Sequence, residues 1–356
     1  MPKSARPALP AHVQIIHTGG TLGCAGSPLT PLSAARFVPQ LTTHIAQLWQ
    51  GSFAIETLEP LLDSTQVQPN DWIRLSEQIL RHYAEGHRHF LLIHGTDTLA
   101  YTAAWLAECL AGSDLQVVLT GSQYPLLDPI SLQTHPTSDA RDNLSTAIAA
   151  LCQSQQGVFV SFCGETWPAQ TVQKVHSRDV SAFSGHSRAG YPANSYGVLT
   201  PREQALWQQH ALTQLHQASK TLSQLRISTY YATPKPHPQL AAELQALAQL
   251  RPDALLLIGY GAGNFPEHPE IRHTLQQLTA DGVLIVASTA VPFGGTTQGY
   301  ATGHWLSEIG VLPTARLTIA AIYVRLVWIC ALQSAPADRR KLWLTQLEQG
   351  TSPHPN

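Results

Sequence analysis

Two short segments place hydroxyl groups where chemistry could begin. The first, His17-Thr18-Gly19-Gly20-Thr21, sets a threonine before two glycines whose missing side chains let backbone N–H groups approach a ligand closely. Such a loop can cradle an oxyanion, or it can be a tight turn with a packing threonine. No Gly-Lys-Ser/Thr follows, which separates it from the usual phosphate loop. The second, His94-Gly95-Thr96-Asp97-Thr98-Leu99, adds the hydroxyl of Thr96 and a carboxylate, Asp97, that either caps a helix or faces a cleft.

Threonine is a poor nucleophile at neutral pH, so an enzyme that uses it needs a base, and a lysine in a desolvated site with a lowered pKa is one physical solution. The chain has only Lys3, Lys174, Lys220, Lys235 and Lys341. Lys174, after the last strand expected in the first domain, is the candidate base; an exposed loop lysine is its alternative reading. Asp63-Ser64-Thr65 offers two more hydroxyls, suited to holding a carboxylate or to stabilising a turn. Among 17 histidines, His82, His87 and His89 form the tightest group. Their spacing is not that of two ligands one helical turn apart and no cysteine joins them, so a solvated helix end explains them and no metal is expected.

These side chains need a scaffold, and the first half of the chain alternates strand-like apolar runs with helix-period segments, the pattern of parallel βαβ units. Strands are expected at Val13–His17, Phe90–Ile93, Leu115–Leu119 and Gly157–Cys163. A helix capped by Asn70 runs through Trp72, Leu75, Ile79 and Tyr83 to Gly86. A second carries Leu99, Ala103, Leu106 and Leu110, and a third starts at Ser138–Asp139 and reaches Leu151. In open sheets of this kind ligands bind beyond the carboxyl ends of the strands, and neighbouring strands would bring Thr18 and Thr96 into one crevice.

The periodicity weakens from Ser181 to about Leu225, where an interdomain connection is placed. Beyond it, strands at Ala254–Ile258 and Val283–Ala287 and helices near Leu240–Leu250, Pro269–Ala280 and Thr314–Leu332 make a smaller α/β domain. The expected division is 1–190, a linker over 191–225, a second domain over 226–350 and a tail over 351–356. The 356 residues exceed one ordinary hydrophobic core, and 44% apolar against 12% charged residues describe a compact globular chain.

Lys plus Arg (21) nearly balance Asp plus Glu (23), and the charges are scattered, which argues against nucleic acid or anionic lipid as partners. The longest apolar segment, Leu317–Leu332, is interrupted by Arg325 and too short to span a membrane. Residues 1–12 contain no signal-peptide core. Five cysteines without a close pair suit reduced thiols in the cytoplasm.

Taken together these residues resemble the asparaginase family, especially its cytoplasmic type I branch. Thr18-Gly19-Gly20-Thr21 is similar to the family's first signature and Ile93-His94-Gly95-Thr96-Asp97-Thr98-Leu99-Ala100-Tyr101-Thr102 to its second. The likeness continues through Leu62-Asp63-Ser64, Val118 to Gln123, Gly259 to Asn264 and Gly299 to Gly303. The resemblance implies that Thr18 attacks the side-chain carboxamide of L-asparagine, that Thr96, Asp97 and Lys174 form a proton relay, and that Ser64, Thr65, Thr96 and Asp97 bind substrate. It implies no metal or organic cofactor, and a homodimer or homotetramer. An amidase or glutaminase of the same family, and an amino-acid binder that no longer catalyses, are the alternatives. The family's amidotransferase members carry an extra N-terminal domain, for which the residues before Val13 leave no room.

Three departures from the family pattern stand out. Gln66 occupies a position that is commonly acidic, and Ala320 replaces a glutamate often found in the type I branch. The loop Cys24–Pro31 has no tyrosine, with Leu29 nearest the usual place of that phenol; Tyr300 is the candidate substitute.

Overall fold

The computed structural model describes residues 10–128, 131, 133–153, 155–186, 198–296 and 301–350. The chain divides into two compact units, Met1–Leu215 and His216–Asn356.

The first unit is built on a six-stranded sheet. Its elements begin with β1 (His12–Gly19), a small hairpin of β2 (Cys24–Ala25) and β3 (Thr30–Pro31), α1 (Ala34–Leu48) and β4 (Ser52–Leu62). They continue through α2 (Pro69–Ala84), β5 (His89–Ile93), α3 (Leu99–Cys109), β6 (Gln116–Thr120), α4 (Ala140–Leu151), β7 (Gly157–Phe162) and β8 (Glu165–Pro168). The strand order is β4-β1-β5-β6-β7-β8, parallel except for the β7–β8 pair. The central strands are apolar on both faces because helices cover both, and β5 and β6 are buried almost throughout. A short antiparallel pair, β9 (Gln173–Lys174) and β10 (Phe183–Ser184), sets Lys174 opposite Phe183.

Local chemistry moves some expected boundaries. Helix α2 starts at Pro69, whose fixed φ suits the first helical position, and the Gln68 N–H donates to Asp71 Oδ2 at 2.9 Å. Asn70 is therefore inside the helix and not its cap. Asp139 precedes α4, yet its carboxylate accepts from the N–H groups of Gln123 and Tyr124 and from Asn143 Nδ2. It ties the loop after β6 to the helix.

Most of the segment expected as a linker is a helix, α5 (Pro201–Thr221). The second unit carries β11 (Ile227–Tyr231), α6 (His237–Ala248), β12 (Ala254–Gly259), α7 (Pro269–Ala280), β13 (Leu284–Thr289), α8 (Ala301–Glu308), β14 (Leu312–Pro313), α9 (Ile319–Leu332) and α10 (Pro336–Gly350). Its four strands pair in parallel in the order β11-β12-β13-β14. Leu255, Leu257 and Ile285 pack with Leu240, Leu244, Ile271 and Leu275, whereas Leu256, Val286 and Leu312 pack with Ile322, Leu326 and Ile329. The period-2 alternation of β12 and β13 thus feeds two cores, one on each face.

Helix α9 begins at Ile319, later than the expected start at Thr314. Thr318 caps it by accepting from the Ala321 N–H at 3.3 Å. Its residues are buried nearly all round, Ala320 among them. No helix among the described residues is long and apolar enough to cross a membrane.

Candidate active site

The site forms where β1 and β5, neighbours in the sheet, run out at their carboxyl ends. His17 pairs with Ile93, so Thr18, next to last in β1, stands beside His94-Gly95-Thr96, which follow β5. The ladder between β1 and β4 is regular up to His17–Thr57 and resumes only at Gly19–Leu62. This irregularity flanks Thr18, and such breaks re-aim a side chain at a sheet rim. Thr18 is buried, and its hydroxyl donates to the Ile93 carbonyl at 3.0 Å.

The two loops touch through backbone. Gly20 has φ +90, and a Cβ added there would lie 2.4 Å from Gly95 Cα. A Cβ on Gly95 would in turn lie 2.6 Å from Ser64 Cβ and Oγ. Three segments far apart in sequence meet because two glycines leave room for them. Ser64 is buried at this contact, and its carbonyl accepts from Thr98 Oγ1 at 2.7 Å. The turn that presents it is stabilised by Asp63, whose Oδ1 accepts from the Thr65 N–H at 2.9 Å. Thr65 and Gln66 are exposed.

Lys174 reaches the second loop. Its Nζ donates to Thr96 Oγ1 at 2.8 Å and to Asp97 Oδ1 at 2.7 Å. The expected desolvated lysine is in fact a partly exposed ion pair, with 21% of the Lys174 side chain and 53% of the Asp97 side chain accessible. Asp97 therefore faces the lysine and caps no helix; the residue before α3 is Thr98, which makes no side-chain cap bond. Thr96, Asp97 and Lys174 are joined by hydrogen bonds, whereas the Thr18 hydroxyl is bonded to Ile93. The β2–β3 hairpin leaves Leu29 exposed, and Cys24 Sγ donates to the Gly20 carbonyl at 3.3 Å. Tyr300 lies outside the described residues.

A further residue of the second signature, His94, acts behind the loop. It is buried, and burial lowers its pKa and keeps the ring neutral. One nitrogen, Nδ1, faces the Gly95 carbonyl at 2.8 Å, so it carries the proton. Nε2 then accepts from Thr102 Oγ1 at 3.0 Å, and Thr102 accepts from Trp72 Nε1 at 3.1 Å. Because C=O and N–H point in opposite directions across a trans peptide, holding the Gly95 carbonyl inward turns the Thr96 N–H the other way. His94 thus ties the Gly95 carbonyl to Thr102 from behind the loop; a histidine before Gly-Thr at a strand end was the sequence signal for it.

Toward the amino ends of the strands the histidine group is rearranged from what spacing suggested. His82, Glu85 and His87 converge there, with glutamate in place of His89 as the third member.

Hydroxyls and a lysine gathered over the carboxyl ends of parallel strands place the protein among the α/β enzymes that work in a strand-end crevice. Within that class, the chain belongs to the asparaginase family of hydrolases. The family model described as Asparaginase, N-terminal matches residues 12–196, and that described as Glutaminase/Asparaginase C-terminal domain matches residues 226–343.

An L-asparaginase of Thermococcus kodakarensis is 29% identical over 320 residues, covering 88% of this chain and 91% of the relative. L-asparaginase 1 of Escherichia coli K12 is 26% identical over 347 residues, covering 96% and 98%. The solved structure of the thermostable L-asparaginase from Thermococcus kodakarensis superposes with a TM-score of 0.70 at 27% identity, covering 93% of this chain and 96% of that one. Further matches include proteins named as a component of glutamyl-tRNA(Gln) amidotransferase and as 60 kDa lysophospholipase.

Proposed function

We propose that the protein is an L-asparaginase that converts L-asparagine and water into L-aspartate and ammonia. The observation that carries this reading is the lysine that donates to both Thr96 and Asp97 beside the loop of Thr18. A binder that performs no proton transfer has no need of that relay.

In the proposed reaction the Thr18 hydroxyl leaves its bond to Ile93 and attacks the carboxamide carbon. Its proton passes through Thr96 to Lys174 in its neutral amine form, and the ammonium so formed gives a proton to the departing nitrogen, which leaves as ammonia. Backbone N–H groups near Gly20 and Thr96 stabilise the tetrahedral oxyanion. Water then attacks the acyl ester, returning the proton to Thr18 and releasing aspartate. Asp97 holds the substrate ammonium, and Ser64 and Thr65 its α-carboxylate. Tyr300 is proposed as the phenol missing from the β2–β3 hairpin.

Five unpaired thiols support a cytoplasmic enzyme, and a homodimer or homotetramer is the proposed assembly, checked by light scattering.

Ammonia release from L-asparagine, L-glutamine and D-asparagine, with Thr18→Ala and Thr96→Val as controls, tests the reading. Turnover of L-asparagine that both variants lose supports it. Folded wild type that binds aspartate without turning over any of the amides makes the protein a non-catalytic binder. Faster turnover of glutamine assigns it to glutaminase or broader amidase chemistry.

A further inference from the structure

The end of α2 leads toward the first residue of β5, so it lies at the amino ends of the strands, opposite the carboxyl ends that carry Thr18 and Thr96. Gly86 takes φ +97 there. This lets the Gly86 N–H donate to the Tyr83 carbonyl and the His87 N–H donate to the His82 carbonyl, both at 3.0 Å. Paired bonds of this kind end a helix by folding the residue after the glycine back over the last turn. His87 therefore returns toward His82, while Glu85 stands three residues beyond His82 on the same helix face.

The result is a convergence of donor atoms. His82 Nδ1 is 2.9 Å from Glu85 Oε2, which is 3.8 Å from His87 Nε2, and each of the three residues offers one ligand atom within 4.8 Å of the other two. On its other side the His82 ring meets a second carboxylate, with Nε2 2.6 Å from Glu56 Oε2. If Nε2–H donates to Glu56, the atoms facing each other at Nδ1 and Glu85 Oε2 are both lone-pair donors. An imidazole that gives its outer N–H to a carboxylate and its other nitrogen to a metal is the arrangement in which second carboxylates orient metal-binding histidines. The wall of the site also contains His12, whose ring lies 4.5 Å from that of His87 and whose Nε2 is buried without a hydrogen-bond partner.

We infer that His82 Nδ1, Glu85 and His87 Nε2 bind one divalent transition-metal ion, zinc by preference, with Glu56 orienting His82 from behind. Two imidazoles and a carboxylate suit zinc, which would keep water in its fourth position. Zinc bonds of about 2.0–2.2 Å hold tetrahedral ligands roughly 3.3–3.6 Å apart. Reaching that spacing means opening the 2.9 Å contact and closing the 3.8 Å one, a movement that falls to the accessible side chains, Glu85 at 52% and His87 at 26%, while His82 at 12% stays seated. The ion fastens the end of α2 to the start of β5, independently of the reaction at Thr18.

The test uses full-length untagged protein, stripped with chelator and titrated with Zn²⁺ and, for its visible spectrum, Co²⁺. The expected result is one ion per chain at micromolar metal, tetrahedral cobalt bands, and a melting temperature that rises with zinc. Affinity should fall on the order of tenfold or more in His87→Ala and Glu85→Gln, and to a comparable degree in Glu56→Gln, which touches no metal. Because His82 is mostly buried, the exposed-side variants carry the decision, with circular dichroism as the check on folding. Wild type that binds only at millimolar metal, or binding that all three variants retain, overturns the site.

Discussion

Two buried histidines stand at the ends of adjacent strands, each just before a threonine loop of the site, and their surroundings are opposite. His94 has both ring nitrogens engaged, by the Gly95 carbonyl and by Thr102. His17 has neither engaged: its ring lies 4.7 Å from that of Phe37, and a Cβ on Gly23 would lie 2.7 Å from its Nε2. Burial depresses the His17 pKa to about 4. His94 thus holds the loop of Thr96 through hydrogen bonds, whereas His17 supports the loop of Thr18 through packing alone. Directional bonds orient a peptide within narrow limits, while packing sets only where it lies.

The largest effect should come from breaking the hydrogen-bonded loop at its exposed end. Lys174→Met is expected to lower kcat for asparagine roughly 10³-fold with an unchanged fold, read by ammonia release and circular dichroism; retention of most activity would remove the lysine from the relay. On the packed loop, Gly20→Ala forces a Cβ onto Gly95 in a left-handed conformation. It should destabilise the chain by about 3 kcal/mol, measured by urea unfolding. A loss below a tenth of that would mean the two backbones separate easily.

The histidines themselves sharpen the contrast. His17 is neutral in the fold down to about pH 4 but takes a proton near the ordinary histidine value of 6.5 once unfolded. Its contribution is therefore complete above pH 6.5 and is lost as pH falls through that window toward 4. The unfolded chain binds the extra proton there. The total is about 3 kcal/mol. His17→Leu should flatten the acid limb of the stability curve, and an unaltered limb would assign acid sensitivity to other groups. His94→Ala, which leaves Thr102 and Gly95 without their partner, should cost about 2 kcal/mol and lower kcat more than it raises KM. His94→Asn, able to donate to the Gly95 carbonyl, should recover part of kcat. Equal losses in both variants would make His94 structural only.

The strands that position both histidines were legible as apolar runs, and the meeting of the two threonine loops was legible only on the supposition that their strands are neighbours, since β4 intervenes in sequence and takes the outer place. Other parts were hidden for physical reasons. The β4 strand, SFAIETLEPLL, has an edge position and only partial burial, so no clean alternation marks it. Helix α1 carries Pro39 inside it and is held by Phe37, Leu41 and Ile45 against the core, a tertiary override of a local breaker. The bond from Lys174 to Asp97 spans 77 residues, which no periodicity encodes. The role of His94 depends on Trp72 and Thr102, whose side chains gave only a helix stripe and a signature residue in the sequence. His82 and Glu85 were one face of a helix, but His87 joined them only through the positive φ of Gly86.

The outer strand β4 has no strand neighbour on one side among the described residues, and such an edge is a template on which an extended chain can add itself. Pro60 interrupts that edge by removing a donor, and the charged Glu56 and Glu59 border it. The same strand that seats Glu56 behind His82 is therefore guarded against edge-to-edge fibre growth. Replacing Pro60 would be felt first as loss of colloidal solubility at high concentration.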